Sequence, residues 1–227
     1  VGSADELLEV VPRAFQIAAS GRPGPVLIDI PKDVQNQLLE VSEWPEPGGA
    51  APVPPPAGEL IQAAAAMIND AAKPILYLGG GVVHSGASED AVALAEKAGL
   101  PTVMTLMALG AMAVDHPLSL GMLGMHGARF TNLALDECDL LIAVGARFDD
   151  RATGKVAGFC PQARIVPIDI DPSELDKIKT AHIGIAGDVR AVLQALLPRI
   201  GTQRREVWLS RVESLKEAYP LRMPGID

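Results

Sequence analysis

Cysteine is almost absent. Cys138 and Cys160 are the only two in 227 residues. With no paired spacing and no Cys-x-x-Cys they exclude a disulfide scaffold and read as reduced core thiols in a cytosolic, hence cytoplasmic, setting. No block of Lys or Arg interrupts a chain whose formal net charge is −9, and without a clustered basic surface no nucleic-acid partner is expected. No apolar run approaches the roughly 18 to 20 residues that span a bilayer, so no membrane partner is expected either. The opening Val1-Gly2-Ser3-Ala4-Asp5-Glu6 lacks a basic n-region, an apolar h-region and an initiator Met, as expected of an internal piece of a longer chain. Gly79-Gly80-Gly81 does not continue as Gly-x-Gly-x-x-Gly, because position 84 is His84; this disfavours a free-standing NAD dehydrogenase. Gly-x-Ser-x-Gly is missing, and His84, His116, His126 and His182 stand isolated, so neither a serine hydrolase nor a metal site is readable.

What the chain does have is apolar patterning, with 48% hydrophobic residues, enough for a substantial core. Leu7, Leu8, Val11, Phe15 and Ala18 recur at helical spacing between Asp5 and Ala19, and Ser20-Gly21 supplies a stop. Pro25 to Pro31 reads as one short buried strand bounded by prolines. One helix and one strand cannot form a core alone, so residues 1–43 are expected to be the tail of an upstream α/β domain. Between Pro45 and Pro56 six of twelve residues are proline. That composition predicts an extended connector over 44–57 rather than a ligand for a partner domain.

Beyond the connector, helix and strand alternate over 58–200. Leu60, Ile61, Ala64, Met67, Ile68 and Ala71 line one helix face that Lys73-Pro74 ends, and Ile75 to Leu78 follows as a strand. Ser88 is placed to cap the next helix, which Gly99-Leu100-Pro101 closes. Further strands are expected at 102–105, 140–144 and 165–170. Asp171-Pro172-Ser173-Glu174 has the composition of a helix start, and Asp188 of a cap for the helix carrying Val189, Val192, Leu193 and Leu196. Residues 201–227 are read as one more helix, 207–219, and a connector from Pro220. Alternating elements with near-continuous apolar strands predict an α/β fold whose parallel sheet is covered by helices on both faces. Such sheets bind ligands beyond the carboxyl ends of their strands.

The candidate residues lie at those ends. Gly79-Gly80-Gly81 would admit a phosphate without a β-carbon in the way, although a glycine turn there serves structure about as often. Asp169 ends a strand where a ribose-binding carboxylate is expected, and Asp188 suits either a helix cap or an adenine contact. Gly145 to Arg151 packs two arginines and two aspartates; surface ion pairing is the plainer reading, and position after a central strand favours an anion site. Gly121 to Gly127 combines three glycines, two methionines and His126, suiting either a pocket wall or core filling.

With Ser20 to Val26, Ile30 to Asp33, Thr105-Leu106-Met107, Thr153-Gly154-Lys155, Ile168 to Asp171 and Gly187-Asp188-Val189 added to those motifs, nearly the whole chain resembles one family. It is that of the acetohydroxyacid synthase (acetolactate synthase) large subunits, among the thiamine-diphosphate enzymes. The resemblance implies a Rossmann-like middle domain at 58–200. It also implies the last helix and strand of a pyrimidine-binding domain at 1–43, and a link toward a diphosphate-binding domain after 201. The implied reaction condenses two pyruvates to 2-acetolactate, or pyruvate with 2-oxobutyrate, with loss of carbon dioxide, in branched-chain amino-acid biosynthesis. FAD is the implied cofactor of this segment, lined by Arg22, Gly80, Thr105, Leu106, Leu123, Gly124, Met125, His126, Gly145, Ala146, Arg147, Phe148, Asp149, Asp169, Ile170, Asp188 and Val189. Arg151, Met125 and Lys32 are implied substrate contacts, Arg151 holding the carboxylate of the second 2-oxo acid. Thiamine diphosphate and Mg2+ belong to other domains. Neither the deprotonating Glu nor the Gly-Asp-Gly…Asn motif of the family is found here, so no catalytic residue or metal ligand is expected and the segment alone should be inactive. A homodimer or tetramer with a small regulatory subunit is implied. The rival readings are a related carboligase such as glyoxylate carboligase, for which a different loop would replace Phe148 to Arg151, and a non-catalytic nucleotide-binding module.

Overall fold

The structure, a computed structural model, describes residues 1–221; the expected connector from Pro220 lies outside the described residues from position 222. The chain divides into two compact units, Val1–Pro54 and Pro55–Asp227.

In the first unit the expected helix forms as α1 (Leu7–Ala19), with Pro12 inside it and no residue fully buried. A short helix, α2 (Lys32–Gln35), follows. The strand expected at Pro25 to Pro31 does not form. The segment has no regular secondary structure, with Leu27 87% exposed, because a strand needs a neighbour's backbone to satisfy its N–H and C=O groups. Side chains tie the unit together instead: Gln35 Nε2 donates to the Ile30 carbonyl at 2.7 Å and the Ala4 N–H to Gln37 Oε1 at 2.9 Å. Phe15, Leu38 and Trp44 remain exposed.

The second unit opens with α3 (Gly58–Asp70) and runs through β1 (Pro74–Leu78), α4 (Gly80–His84), α5 (Ser88–Ala98) and β2 (Thr102–Met104). It continues with β3 (Ser119–Met122), α6 (Arg129–Glu137), β4 (Leu140–Val144), α7 (Asp150–Thr153), β5 (Arg164–Asp169), β6 (Ile185–Ala186), α8 (Val189–Leu196) and α9 (Glu206–Ala218). The six strands are all parallel in the order β3-β2-β1-β4-β5-β6. This is the doubly wound α/β arrangement expected. Alternate residues of each strand face opposite ways. Leu76, Leu78, Ile142, Val144 and Ile168 pack with α3, α5 and α8 on one face. Ile75, Tyr77, Leu141, Ala143 and Ile165 pack with α6 and α9 on the other.

Local chemistry departs from the sequence expectation at two helix starts. Ser88 is the first residue of α5, whose N-cap is Ala87 without a side-chain bond, so the Ser88 cap is not made. At Asp171 the cap is made, Oδ1 accepting from the Ser173 N–H at 2.9 Å, but only a 3-10 turn, Pro172–Glu174, follows. Asp188 caps α8 by accepting from the Ala191 N–H at 3.0 Å.

Helix α9 belongs to the same core. Trp208, Val212 and Leu215 are buried in it, and Trp208 Nε1 donates to the Pro74 carbonyl at 3.0 Å. The guanidinium of Arg205, just before α9, donates to the carbonyls of Ile68 and Ala71 at the end of α3 and of Ala98 at the end of α5. One side chain thus closes two helix C-termini. Asp139 aligns β1 with β4 by accepting the N–H groups of Ala72 and Lys73 at 2.7 and 2.9 Å.

Arg211 of α9 donates to both oxygens of Glu137 at 2.9 and 2.5 Å, and that hydrogen bond holds the Glu137 carboxyl below its ordinary 4.5. A depressed carboxyl contributes stability above its unfolded value and loses it as pH falls through the folded one. Stability measured by urea denaturation should therefore fall below pH 4.5, and Glu137→Gln should flatten that part of the profile. At the carboxyl edge of the sheet, a β-carbon on Gly145, whose φ is +57°, would lie 2.6 Å from the Gly81 Cα, whereas one on Gly158 would meet nothing within 4 Å. Gly145→Ala is expected to cost about 3 kcal/mol by overpacking and backbone strain, and Gly158→Ala under about 0.5 kcal/mol, in the same denaturation assay.

Candidate functional site

From β1 the chain winds out through β2 and β3, then returns to β4 on the other side of β1. β1 and β4 are therefore the topological switch point of the sheet, and an open α/β sheet accepts its ligand beyond the carboxyl ends of the strands at such a point. Gly79, Gly81 and Gly145 line this point, but their main task is packing. The N–H of Gly79 donates to the Val144 carbonyl at 2.9 Å, that of Gly81 to the Gly145 carbonyl at 3.1 Å, and that of Gly145 to the Ile168 carbonyl at 2.8 Å. Those three donors are already used. Gly80 differs: its N–H is the first of α4, a position without an intrahelical partner, and a β-carbon there would press on Met107 Cβ at 3.2 Å.

The loops after the other strands gather at the same edge. Thr105 and Leu106 follow β2; Leu123 and the 3-10 turn Gly124–His126 follow β3; Asp169 ends β5 and Ile170 follows. A β-carbon on Gly124 would lie 2.7 Å from Ala152 Cα, so the methionine-histidine turn rests on α7, and Met125 and Arg151 occupy touching turns. Asn132 holds that turn with a reciprocal pair of bonds to the Gly124 N–H and carbonyl, both at 2.9 Å. Arg22, exposed in the turn after α1, and Lys32, exposed at the start of α2, belong to the first unit.

Both arginines of the cluster are paired locally. Arg147 Nη2 lies 3.2 Å from Asp149 Oδ2 and Arg151 Nη1 lies 3.6 Å from Asp150 Oδ2, all largely exposed. Exposed pairs are worth about 0–1 kcal/mol, so a phosphate or carboxylate can displace either aspartate. Asp169 is 9% exposed, and its Oδ1 accepts the Asp171 N–H at 3.0 Å.

The side chains divide sharply. Leu106, Met107 and Met125 are 67%, 68% and 64% exposed and offer apolar surface. Leu123, Ala146, Phe148 and Val189 are buried, so they can meet a ligand only through their backbone. Phe148 has a φ of +55° and its ring sits between Tyr77 and Phe159. Among the described residues two buried hydroxyls have no hydrogen-bond partner, those of Thr105 and Tyr77. The Thr105 hydroxyl stands at the carboxyl end of β2. Tyr77 was not singled out by sequence, although it is the one polar side chain in an apolar strand. Burial, with the nearby Asp149 carboxylate, raises its phenol well above the ordinary value, so it stays neutral.

The two thiols, far apart in sequence, meet in the core. Cys138 Sγ donates to the Leu135 carbonyl at 3.1 Å, and a hydrogen bond with Cys138, reinforced by burial, pushes the Cys160 thiol up. Raised, buried thiols are unreactive. Among the described residues no group of three His, Cys, Asp or Glu is placed to hold a metal ion, and no helix is long and apolar enough to cross a membrane.

Comparison with known proteins agrees with this architecture. Residues 61–196 match the family model described as thiamine pyrophosphate enzyme, central domain. The chain is 54% identical over 220 residues to the acetolactate synthase isozyme 1 large subunit of Escherichia coli, covering 97% of this chain and 39% of that protein. It is 44% identical over 228 residues to the acetolactate synthase large subunit of Corynebacterium glutamicum, covering 97% of this chain and 36% of the relative. With acetolactate synthase 1, chloroplastic, of Zea mays it shares 43% identity over 228 residues, 96% of this chain and 35% of the relative. The chain thus spans less than two fifths of the length of these relatives. The matched span covers the sheet from α3 to α8 and every loop gathered at its carboxyl edge, and on that ground the chain belongs to the thiamine pyrophosphate enzymes, of which it carries the central domain.

Proposed function

We propose that this chain is the FAD-holding part of an acetolactate synthase large subunit. The observation that carries the reading is the set of groups gathered at the carboxyl edge of the sheet around the β1/β4 switch point. An unpartnered buried hydroxyl (Thr105), an exchangeable guanidinium (Arg147), a strand-end carboxylate (Asp169) and exposed apolar side chains (Leu106, Met107) share one edge of the sheet. Those groups match a dinucleotide piece by piece. Arg147 would leave Asp149 for the pyrophosphate, joined by the Gly80 N–H. Asp169 would accept from ribose hydroxyls. Thr105 would satisfy its hydroxyl on a polar edge of the ligand, and Leu106, Met107 and Met125 would cover its apolar faces. Bound FAD would supply a flavin ring that undergoes no net redox change in the overall reaction.

The whole protein would condense two pyruvates, or pyruvate with 2-oxobutyrate, releasing carbon dioxide and forming 2-acetolactate or its homologue. It would depend on thiamine diphosphate and Mg2+ held by other domains. In that reaction Arg151 would fix the carboxylate of the second 2-oxo acid, a task its planar fork suits better than a Lys would, with Met125 as the apolar wall beside it. Lys32 as a substrate contact and Arg22 as an FAD contact belong to the same reading. An oligomer with a small regulatory subunit, in the cytoplasm, belongs to the same reading. The names of the relatives favour acetolactate synthase over glyoxylate carboligase or a purely structural nucleotide module.

The full-length protein should purify with flavin absorption and form acetolactate from pyruvate only when thiamine diphosphate is added. Absence of flavin together with absence of that activity would overturn the reading. Thr105→Val tests the hydroxyl from both sides. Without FAD it should raise stability by up to about 1 kcal/mol, because an unsatisfied buried group is removed, and with FAD it should weaken binding about fivefold. Urea denaturation and fluorescence titration measure the two effects.

A further inference from the structure

Phe148 is out of place by every local rule. It stands between Arg147 and Asp149 in an exposed, charged loop, yet it is 4% exposed. Its φ of +55° puts a bulky side chain in the left-handed region, where crowding between the side chain and the backbone makes such residues outliers. The same loop uses glycine at its other left-handed positions, Gly145 and Gly154. At position 148 a ring has been kept where glycine would relieve the strain, and strain of this kind persists only where surrounding structure holds it.

The ring contacts identify what holds it. Phe148 meets Tyr77 edge-on, centroids 5.7 Å apart at 73°, and Phe159 at 6.3 Å and 77°. Both arrangements place a ring edge against a ring face, the favoured aromatic geometry. Tyr77 is fully buried in β1 and Phe159 is buried in the segment after α7. With the middle residue drawn inward, its neighbours turn outward on the same side, and Arg147 and Asp149 come together at 3.2 Å. The Asp149 carbonyl then accepts the N–H groups of Ala152 and Thr153 at 2.9 and 3.0 Å, which starts α7 and places Arg151.

We propose that Phe148 is the positioning residue of this site: clamped between Tyr77 and Phe159, its ring holds a left-handed turn that sets Arg147, Asp149 and, through α7, Arg151 at the carboxyl edge of the sheet. The inference rests on the FAD reading only for its ligand. Tyr77 acts through its ring and not its hydroxyl, which has no partner; the variant lacking only that hydroxyl should therefore bind as the parent does.

The test is a fluorescence titration of the chain with FAD, alongside a crystal structure of a ligand-free variant. Phe148→Ala should weaken FAD binding roughly tenfold or more. Tyr77→Phe should stay within about twofold of the parent. Leu135→Ala removes bulk from the same core in α6, away from the carboxyl-edge loops, and should lower stability while binding FAD within about twofold. A merely structural role for Phe148 would make the two alanine variants alike. In the Phe148→Ala crystal structure, residue 148 should return to negative φ and the Arg147–Asp149 pair should separate. Phe148→Leu keeps the bulk but loses the ring contacts, and it replaces the alanine variant if that does not fold. Unchanged FAD affinity in the Phe148 variant, or a retained left-handed turn with the ion pair intact, overturns the proposal. If the parent chain binds no FAD, the cofactor reading fails, while the crystal structure still decides the positioning role.

Discussion

The carboxyl edge of this sheet depends on how closely the turn after β1 approaches the turn after β4. A β-carbon on Gly79 would collide with the Gly145 carbonyl oxygen, and one on Gly81 would lie 2.7 Å from Gly145 Cα. Two backbones meet there with nothing between them. Their N–H groups are spent on each other and on β4 and β5, so the contact fixes the geometry of the switch point instead of opening it. The direct consequence is that the anion-binding capacity of this edge shifts from Gly79, Gly81 and Gly145 to Gly80, Arg147 and the ends of the neighbouring strands.

That arrangement gives the loop from Gly145 to Thr153 an unusual division between inside and outside. Backbone packing at Gly145 and the aromatic cluster at Phe148 anchor it from below, while Arg147, Asp149, Asp150 and Arg151 stand in solvent, paired with one another. Local pairing keeps two arginines oriented at little energetic cost and leaves them exchangeable. The surface ion-pair reading and the anion-site reading of this loop are thus compatible, the first describing the loop without ligand and the second with it. At the carboxyl end of β2, on the far side of β1, the Thr105 hydroxyl is left without a partner, an arrangement proteins seldom retain without use.

Much of this was legible in the sequence because apolar runs bounded by Gly and Pro mark the central strands unambiguously. Ile75 to Leu78, Leu140 to Val144 and Ile165 to Asp169 fall as expected, and so do the loops that follow them. β3 escaped because Gly121 inside it takes a φ of +67° and its second half is only partly buried, and β6 is too short to carry a period. Pro25 to Pro31 has the composition of a strand and lacks a neighbour, which no pattern within one segment can reveal. The inward turn of Phe148 was hidden for a different reason: a phenylalanine among charges looks like a ligand-facing residue, and only its left-handed backbone sends it into the core. The meeting of Cys138 with Cys160 is likewise a tertiary fact.

The most direct test of the account is hydrogen–deuterium exchange on this chain with and without FAD. The account predicts slowed exchange at 79–81, 105–107, 145–153 and 169–171, the loops that share the carboxyl edge. Protection absent from those loops, or concentrated in the groove between α9 and β3 lined by Pro117, Leu120 and Leu209, would contradict it.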